Sequence, residues 1–334
     1  MQVPIAPLFL GGPDVQDLLT AAACRDAVEL AFLVHGTHRA PAPVVAGVPA
    51  PQGGFHWKAA WWPGPPPRFV GKLNANFPQN PARHGLPTIQ GIVTLCDGET
   101  GALLALLDSG VLTALRTAAA TAVAAGHLAR ADAEVLAIVG CGIQGRAHLP
   151  AIAGVRSLRR VLLVDHRREA ADRLARECGK TLGIAAHVTD LAAALRAADM
   201  VVTCTPATEF LMLREQVRPG TFVAGVGADA AHKREIPPAL LAAATLVVDV
   251  LEQAATMGDL HHAIASGHLA RGDVYAELGA IVAGIRPGRT TAEEITIFDS
   301  TGMALQDAAS AVAVYERAVM EGRGRVLALG GQAV

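Results

Sequence analysis

A short apolar run followed by three closely spaced glycines is the feature that most constrains how this chain can fold. Residues 134–139 read EVLAIV, Gly140, Gly142 and Gly145 follow with the spacing G-x-G-x-x-G, and residues 146–153 can begin a helix. The first glycine permits a tight turn, the second lets the backbone approach a pyrophosphate, and the third lets helix and strand pack closely. The N–H groups at the helix start then face the anion. This order predicts a Rossmann-type unit that binds a dinucleotide, against the alternative of a glycine-rich turn in an unrelated α/β protein.

The next strand indicates which dinucleotide to expect. Residues 160–164 end at Asp165, at the distance from the glycines where an acidic residue reaches the adenosine ribose hydroxyls. Because a carboxylate there would repel a 2′-phosphate, we expect NAD. Arg167 and Arg168 follow at once and could accept that phosphate, so NADP remains possible and Arg167 is a candidate cofactor contact. Otherwise the two arginines simply begin a solvated helix.

Beyond Asp165 the alternation of helices and strands continues. A helix is predicted over 190–198, and continuously apolar strands over 200–205, 221–226 and 246–249. Such strands with helices between them indicate a doubly wound parallel sheet that is covered on both faces. Ligands bind at the carboxyl ends of strands in these sheets, which directs attention to Thr205, to residues 225–229 and to Asp249.

The N-terminal third has a different pattern. Residues 14–35 predict one helix, and residues 40–67, rich in proline and glycine, predict irregular structure or an edge hairpin. Residues 69–77 alternate as a strand with an apolar back and a polar front, and the front carries Lys72 beside asparagines. Strands over 88–95 and 102–107, joined through DGETG, complete a small antiparallel meander.

Two helices carry further signals. The alanine-rich helix predicted over 112–129 contains Arg116, which seldom enters small apolar surroundings without an anionic partner. A carboxylate or phosphate ligand is the preferred interpretation, and a structural salt bridge is the alternative. The last helix, about 303–320, places Leu305, Ala308, Val312, Tyr315 and Val319 on one stripe, which indicates core or interface.

Composition excludes several classes of protein. With 334 residues, 51% hydrophobic and 17% charged, the chain can form two domains with a sizeable core. A net charge of −2 gives no reason to expect nucleic acid or an anionic membrane. Five scattered cysteines suit a reducing compartment, and neither they nor the histidines show metal-ligand spacing. The first 20 residues lack Lys and Arg, and no apolar run approaches the ~20 residues of a membrane span, so we expect a cytoplasmic protein.

Together these segments resemble the ornithine cyclodeaminase/μ-crystallin family of NAD(P)-dependent enzymes. The resemblance lies in seven segments that occur in the family's order over nearly the whole chain: residues 71–80, 85–88, 97–101, 112–119, 140–144, 225–230 with Lys233, and 298–303 with Gln306 and Asp307.

The resemblance implies a homodimer whose subunits each combine a discontinuous α+β substrate and dimerisation domain, residues 1–120 with 305–334, and a Rossmann domain, residues 121–304. It implies that Lys72 binds the substrate, that Arg116 contacts the substrate carboxylate and the cofactor, that Asp229 is catalytic, and that Ser300 lies near the substrate. Further implied cofactor contacts are Thr88, Ile143, Gln144, Asp165, Thr205, Val223, Ala224, Gly225, Val226 and Lys233.

The chemistry supports these roles. Hydride transfer between an amino acid Cα and nicotinamide needs a fixed carboxylate, which Lys72 and Arg116 could hold, and a group that moves a proton at nitrogen, which Asp229 could be. The alternatives are an exposed strand lysine for Lys72 and a helix N-cap for Asp229.

Two departures from the family pattern bear on the substrate. The family's arginine upstream of the lysine, in a stretch like PPRV, is absent from residues 40–44, with Arg39 just before. The acid that would hold a distal amine is also absent, since no Asp or Glu occurs from residue 30 to 96. Lys58 stands in that region and would repel a second ammonium, so a smaller, cyclic or acidic side chain fits better than ornithine. Lys58 is therefore a candidate substrate contact, or otherwise an exposed loop residue.

These observations predict an NAD(P)-dependent oxidoreductase that acts on the C–N bond of a small amino or imino acid, as a ketimine reductase or an amino acid dehydrogenase. The alternative is a redox-neutral ornithine- or lysine-type cyclodeaminase that releases ammonia with NAD as a bound cofactor. A third possibility is a protein that binds NAD(P) without turnover.

Overall fold

The computed structural model describes residues 6–328, and the chain divides into two compact units. Unit 1 consists of the residues up to Arg116 and those from Met303 onwards, and unit 2 is Thr117–Gly302. The boundaries therefore fall at 116/117 and 302/303, whereas the sequence predicts them at 120/121 and 304/305. The assignment of substrate binding and dimerisation to unit 1 remains a prediction.

The N-terminal part of unit 1 contains most of its sheet. Its elements are β1 (Leu8–Leu10), α1 (Gly12–Leu18), α2 (Ala21–Gly36), β2 (Val44–Ala50), β3 (Gly53–Trp62), β4 (Arg68–Asn76), α3 (Asn80–His84), β5 (Ile89–Asp97), β6 (Leu103–Asp108) and α4 (Ser109–Leu128), the last of which continues into unit 2.

The predicted single helix over 14–35 is wrong, because the chain forms two helices there. Leu19 leaves the helical region (φ −110°, ψ 83°), and the Thr20 side chain accepts a hydrogen bond from the Ala23 N–H, which caps a new helix. Residues 40–67 contain the hairpin β2–β3, the second of the two predicted alternatives.

Unit 2 contains the remaining strands and helices of the parallel sheet. Its elements are β7 (Val135–Val139), α5 (Ile143–Ala153), β8 (Arg160–Val164), α6 (Arg168–Leu182), β9 (Ala185–Val188), α7 (Leu191–Ala197), β10 (Met200–Thr203), β11 (Phe222–Gly225), α8 (Pro238–Leu241), β12 (Thr245–Val248), α9 (Leu251–Met257), α10 (Asp259–Ala265), β13 (Ala276–Glu277), α11 (Leu278–Val282) and β14 (Thr296–Asp299).

The eight strands of unit 2 are all parallel, in the order β13-β12-β14-β11-β10-β7-β8-β9. The chain proceeds from β7 outwards through β8 and β9, and then resumes on the other side of β7 with β10. This reversal confirms the predicted Rossmann-type, doubly wound sheet. Its carboxyl edge between β7 and β10 is where such sheets bind their ligands.

The chain returns to unit 1 through α12 (Ala304–Glu321) and β15 (Arg325–Val326). With β15 added, the sheet of unit 1 has the order β15-β1-β6-β5-β4-β3-β2, and α12 packs on β3, β4 and α2. Of the predicted stripe, Leu305, Ala308 and Tyr315 are buried and Val312 is half-buried. Val319 is 47% exposed, so it lies outside the core.

In the sheet of unit 1, the side that carries Lys72 is buried, and the more apolar side is exposed. The predicted alternation of β4 is present, but Val70 and Lys72 are the buried residues, whereas Phe69 and Leu73 are 37% and 44% exposed. The strand register places seven large exposed side chains on this same apolar side: Val44, Val48, Phe55, Trp57, Trp61, Phe69 and Leu73. We call this surface the apolar sheet face.

The expectation that no segment is long and apolar enough to cross a membrane was too strict. By length and composition, α4 is the one helix in residues 6–328 that could cross a membrane. However, 72% of its most apolar window is buried inside the protein, which is also the property of a core helix.

Candidate active site

The glycine loop after β7 has the conformation that the three glycines predict. Gly140 has φ +101°, and a Cβ there would lie 2.8 Å from the carbonyl oxygen of Cys204. A Cβ on Gly145 would clash with the carbonyl oxygen of Gly140. Gly142, at the N-cap of α5, faces open space and offers no side-chain cap to the helix. The loop therefore exposes backbone N–H groups in a space that a Cβ at position 142 would begin to fill.

Asp165 connects the end of β8 to this loop. Its Oδ2 accepts a hydrogen bond from Cys141 N at 2.7 Å, and its Oδ1 accepts one from Arg167 N at 2.8 Å. Arg167 is the exposed N-cap residue of α6, as expected for a solvated helix start. On α5, Ile143 is 74% exposed and the buried Oε1 of Gln144 has no hydrogen-bond partner. An exposed apolar side chain and an unpaired acceptor beside a glycine cradle fit a dinucleotide.

The strand ends next to this loop are held together by Glu235, a residue that no sequence pattern singled out. The fully buried carboxylate accepts hydrogen bonds of 2.7–2.8 Å from the Thr203 hydroxyl, the Thr205 N–H and hydroxyl, and Gly227 N. Burial raises the pKa of Glu235, although these hydrogen bonds oppose the shift. No periodicity or motif marks Glu235, because its partners come from the ends of two strands.

The other predicted contacts in unit 2 fall into two groups. Val223 and Ala224 lie inside β11 with fully buried side chains, so they belong to the core of the sheet rather than to its edge. Gly225 and Val226 are at the carboxyl end of that strand, and Gly225 O accepts a hydrogen bond from Ser300 N. Ser300 follows β14 and is 4% exposed.

Asp229 lies in the loop after β11, where no helix begins, so the N-cap interpretation is wrong. Its Oδ1 is 2.6 Å from Nζ of Lys233, and its side chain is 45% exposed. The carboxylate is therefore both held by a neighbouring cation and open to a reactant. Thr88, in unit 1, directly precedes β5, and its carbonyl accepts a hydrogen bond from Phe77 N.

In unit 1, Lys72 and Arg116 share one carboxylate. Nζ of Lys72 lies 2.7 and 2.8 Å from the two oxygens of Asp307, and Nε of Arg116 lies 2.9 Å from Oδ1. Arg116 also donates to Oε1 of Gln306 at 3.2 Å. The exposed fractions of Lys72, Arg116 and Asp307 are 3%, 6% and 1%. The interpretation of Lys72 as an exposed strand lysine is therefore wrong. Arg116 forms a salt bridge with Asp307, which was the alternative interpretation for this residue.

The environment of this cluster shifts the pKa of Lys72 far from its ordinary value. Burial lowers the pKa of Lys72 to about 7, with Asp307 opposing the shift and the charges of Arg116 and Lys58 adding to it. Burial acts to raise the pKa of Asp307, but the charges of Lys72, Arg116 and Lys58 outweigh it, and that pKa is lowered. Lys58 is half-buried and pairs directly across the strands with Lys72, so the interpretation as a loop residue is wrong.

Fold and site together define a two-unit protein with a Rossmann dinucleotide-binding unit and a buried cationic cluster suited to a small anion. The chain belongs to the ornithine cyclodeaminase/mu-crystallin family, whose model matches residues 66–322. This membership confirms the resemblance noted in the sequence.

Three relatives illustrate the family's range. The chain is 36% identical to the alanine dehydrogenase of Archaeoglobus fulgidus over 95% of this chain and 97% of that protein. It is similar to a solved archaeal alanine dehydrogenase dimer with bound NAD, with a TM-score of 0.92 and 35% identity over 96% and 99% of the two chains. It is also similar to the solved iminosuccinate reductase of Paracoccus denitrificans in complex with NAD⁺. The TM-score is 0.89, and the identity is 33% over 97% of this chain and 100% of that chain.

The lowered pKa of Lys72 predicts a pH-dependent stability. Between about pH 7 and its ordinary value of 10.5, the unfolded lysine holds a proton that the folded one lacks. The free energy of unfolding should therefore rise with pH through this window, by at most about 1.4 kcal/mol per unit, and fall as the pH drops towards 7. Urea denaturation should show this slope in the wild type and lose it in Lys72→Met. Exposed Lys180→Met is the control, and parallel curves for wild type and Lys72→Met would contradict the burial argument.

Proposed function

We propose that this protein is an NAD-dependent oxidoreductase that acts on the C–N bond of a small amino or imino acid. The observation that carries the proposal is the buried Lys72–Asp307–Arg116 cluster, in which two cations share one carboxylate. Such a cluster can hold a substrate carboxylate close to the reacting carbon. The glycine loop and the named activities of the relatives support the redox chemistry.

The proposed roles combine the contacts described within each unit with the roles that the family resemblance implies. Lys72 and Arg116 hold the carboxylate, and Asp229 removes a proton from the substrate nitrogen during oxidation and returns it during reduction. Lys72 can also exchange a proton at neutral pH, because burial lowers the pKa of its amine to about 7. NAD, which the glycine loop after β7 would hold, would supply the hydride acceptor for oxidation of Cα and the hydride donor for reduction. The amino acid thus loses a hydride and a proton and becomes an imino acid. Ser300 and Thr205 line the substrate and cofactor sides in this proposal.

The activity can be tested with a panel of amino acids, cyclic imines and 2-oxo acids with ammonia, using NAD(H) and NADP(H) in parallel. The absorbance of reduced nicotinamide should change, and Asp229→Asn should lower kcat by about 10²–10⁴-fold while the Kd for NADH stays within threefold. Lys180→Gln is the control. Ammonia release from a diamino acid without a net absorbance change would show a cyclodeaminase instead. Cofactor binding without turnover across the panel would show a binding protein.

The glycine loop gives a separate prediction about NAD. A Cβ at Gly142 would meet nothing within 4 Å, and φ there is −82°, so Gly142→Ala should fold normally and lose only the preference for glycine over alanine at an N-cap, at most about 1 kcal/mol. If the pyrophosphate lies against this backbone, the new methyl group should weaken NADH binding by about tenfold or more. Gly179→Ala, where the space is equally open, should leave NADH binding unchanged, and it should raise the thermal stability slightly because alanine is favoured over glycine within helix α6. Calorimetric titration of NADH that gave equal Kd values for all three proteins would place the cofactor elsewhere.

We further propose a homodimer formed through the apolar sheet face. Exposed apolar surface of this kind marks an interaction site, and the similar archaeal alanine dehydrogenase is a dimer. The five cysteines, all unpaired, support a reducing compartment and therefore the cytoplasm.

Light scattering after size exclusion should give the mass of two chains for the wild type. Leu73→Glu, in the apolar sheet face, should give one chain, because a buried charge without a partner costs several kcal/mol. Ile285→Glu changes an apolar side chain that is 63% exposed in unit 2 and should remain dimeric. A Leu73→Glu protein that is still a dimer would exclude this face.

A further inference from the structure

Four carboxylate side chains are buried at the carboxyl edge of the unit 2 sheet. Asp249 follows β12, Asp299 ends β14, Asp259 begins α10, and Glu235 lies in the loop after β11. Each has an exposed fraction of 0%, and none of them forms a salt bridge within residues 6–328. A buried carboxylate without a counter-ion must be stabilised by hydrogen bonds or take up a proton. We call these four residues the acid cluster.

Two members of the acid cluster have all the hydrogen bonds that an ionised carboxylate can accept. Glu235 accepts two on each oxygen, as described above. Asp249 also accepts two on each oxygen, at 2.5–2.8 Å, from Val250 N, from the N–H and hydroxyl of Thr301 and from Gly302 N. A carboxylate has about four lone-pair positions, so four donors leave no place for a proton. Both groups are therefore built to be anions.

The other two members each lack a donor on one oxygen. Asp259 Oδ1 accepts a hydrogen bond from Glu235 N at 2.8 Å, and Asp299 Oδ2 accepts one from Leu260 N at 2.9 Å. The second oxygens, Asp259 Oδ2 and Asp299 Oδ1, are buried and have no hydrogen-bond partner among the described residues. A buried polar atom without a partner is costly and rare, so two of them in one cluster require an explanation.

The strand register places these two side chains next to each other. Gly225 pairs with Asp299 on the neighbouring parallel strands β11 and β14, so a side chain at either position leaves the sheet on the same side. A Cβ on Gly225 would lie 3.0 Å from Asp259 Oδ2. Asp259 Oδ2 thus occupies the space of the missing side chain, one strand away from Asp299. The N–H of Asp259 also donates to the Asp299 carboxylate.

The surroundings of this pair favour a proton. Burial raises the pKa of Asp299 to about 7, and the charges of Asp249 and Glu235 add to the shift. Burial also raises the pKa of Asp259, and the charges of Asp299 and Glu235 add to that shift. Backbone N–H groups oppose both shifts. The charged groups that face the pair, from the loop after β11 and from the end of β12, are thus both negative.

We propose that Asp259 and Asp299 share one proton between Asp259 Oδ2 and Asp299 Oδ1, and that the pair positions Glu235. One proton makes one of these oxygens a donor and gives the other its missing hydrogen bond. The shared proton joins the start of α10 to the end of β14. Asp259 holds Glu235 through its backbone N–H, and Glu235 in turn holds the strand ends beside the glycine loop. This pair takes no part in the proposed reaction.

Infrared spectroscopy can detect the shared proton directly. At pH 6, about two units above the ordinary pKa of an exposed carboxyl group, the wild type should show the carbonyl stretch of a protonated carboxyl group. The band should be absent from Asp259→Asn and from Asp299→Asn. It should remain in Asp132→Asn, a control whose side chain is 81% exposed. A wild type without the band, or a band that survives in both variants of the pair, would overturn the proposal.

Combining the two asparagine substitutions tests whether the side chains face each other. In either single variant the amide oxygen can still accept the backbone N–H, and the amide N–H can donate to the remaining carboxylate. In the double variant two amide NH₂ groups would meet without an acceptor. The equilibrium constant for unfolding should then exceed the product of the single effects by at least about tenfold. Additive effects in urea denaturation would overturn the proposal.

The proton also predicts how stability changes with pH. From the ordinary value of 3.8 to about 7, folded Asp299 holds a proton that the unfolded chain has released. The stability that this proton contributes is therefore lost as the pH rises through this window. The ratio of the unfolding constants of wild type and Asp299→Asn should increase with pH by up to about tenfold per unit. A ratio that does not change with pH would contradict a shared proton.

The pH dependence of NADH binding tests whether the pair positions Glu235. Above about pH 7 the wild type should lose the proton, and two adjacent charges should then displace α10 and with it Glu235. The Kd for NADH should rise by at least about fivefold in the wild type, and it should stay within about threefold in Asp299→Asn, which has no shared proton to lose. Parallel pH profiles would show that the pair does not position Glu235. The infrared and unfolding measurements need no substrate, so they stand even if the proposed reaction fails.

Discussion

The carboxylate of Asp307 is the group on which the site of unit 1 depends. It receives Lys72 from a strand and Arg116 from a helix, at 2.7–2.9 Å, with all three side chains nearly excluded from water. Burying such charges costs several kcal/mol per ion, which good geometry only partly offsets, and loss of one partner from a buried pair costs about 3–5 kcal/mol. Asp307 is therefore what permits two cations to occupy the interior. Since it neutralises only one of them, the arrangement remains short of negative charge, which is the property that a carboxylate-binding site needs.

Much of this architecture could be predicted from local patterns. The glycine spacing after an apolar strand predicted a dinucleotide fold because each glycine has a separate steric reason. The structure shows the tight turn at Gly140 and the close packing at Gly145, and the role of Gly142 stays a prediction. The continuously apolar strands indicated a parallel sheet because only strands covered on both faces read in that way. The resemblance to the family added what patterns could not, since it spans distant segments that become neighbours only in the folded chain.

The parts that could not be predicted depend on distant contacts. The alternation in β4 showed that Phe69 and Lys72 face opposite sides, but not which side is covered, and the lysine side proved to be the buried one. Glu235 gave no signal because its role exists only where the ends of β10 and β11 meet. Arg116 was recognised as needing an anion, yet its partner Asp307 lies 191 residues further along the chain. The break after Leu18 was missed because apolar spacing alone does not reveal a capping hydroxyl at Thr20.

The return of α12 to unit 1 has a consequence for biosynthesis. Lys72 is translated 235 residues before Asp307, and the whole of unit 2 is synthesised in the interval. A nascent chain can therefore complete its parallel sheet while the strand that carries Lys72 still lacks both its counter-charge and the helix that packs on it. Unit 1 closes only after α12 has emerged, and ribosome-bound chains halted before residue 303 would display that strand to chaperones and proteases.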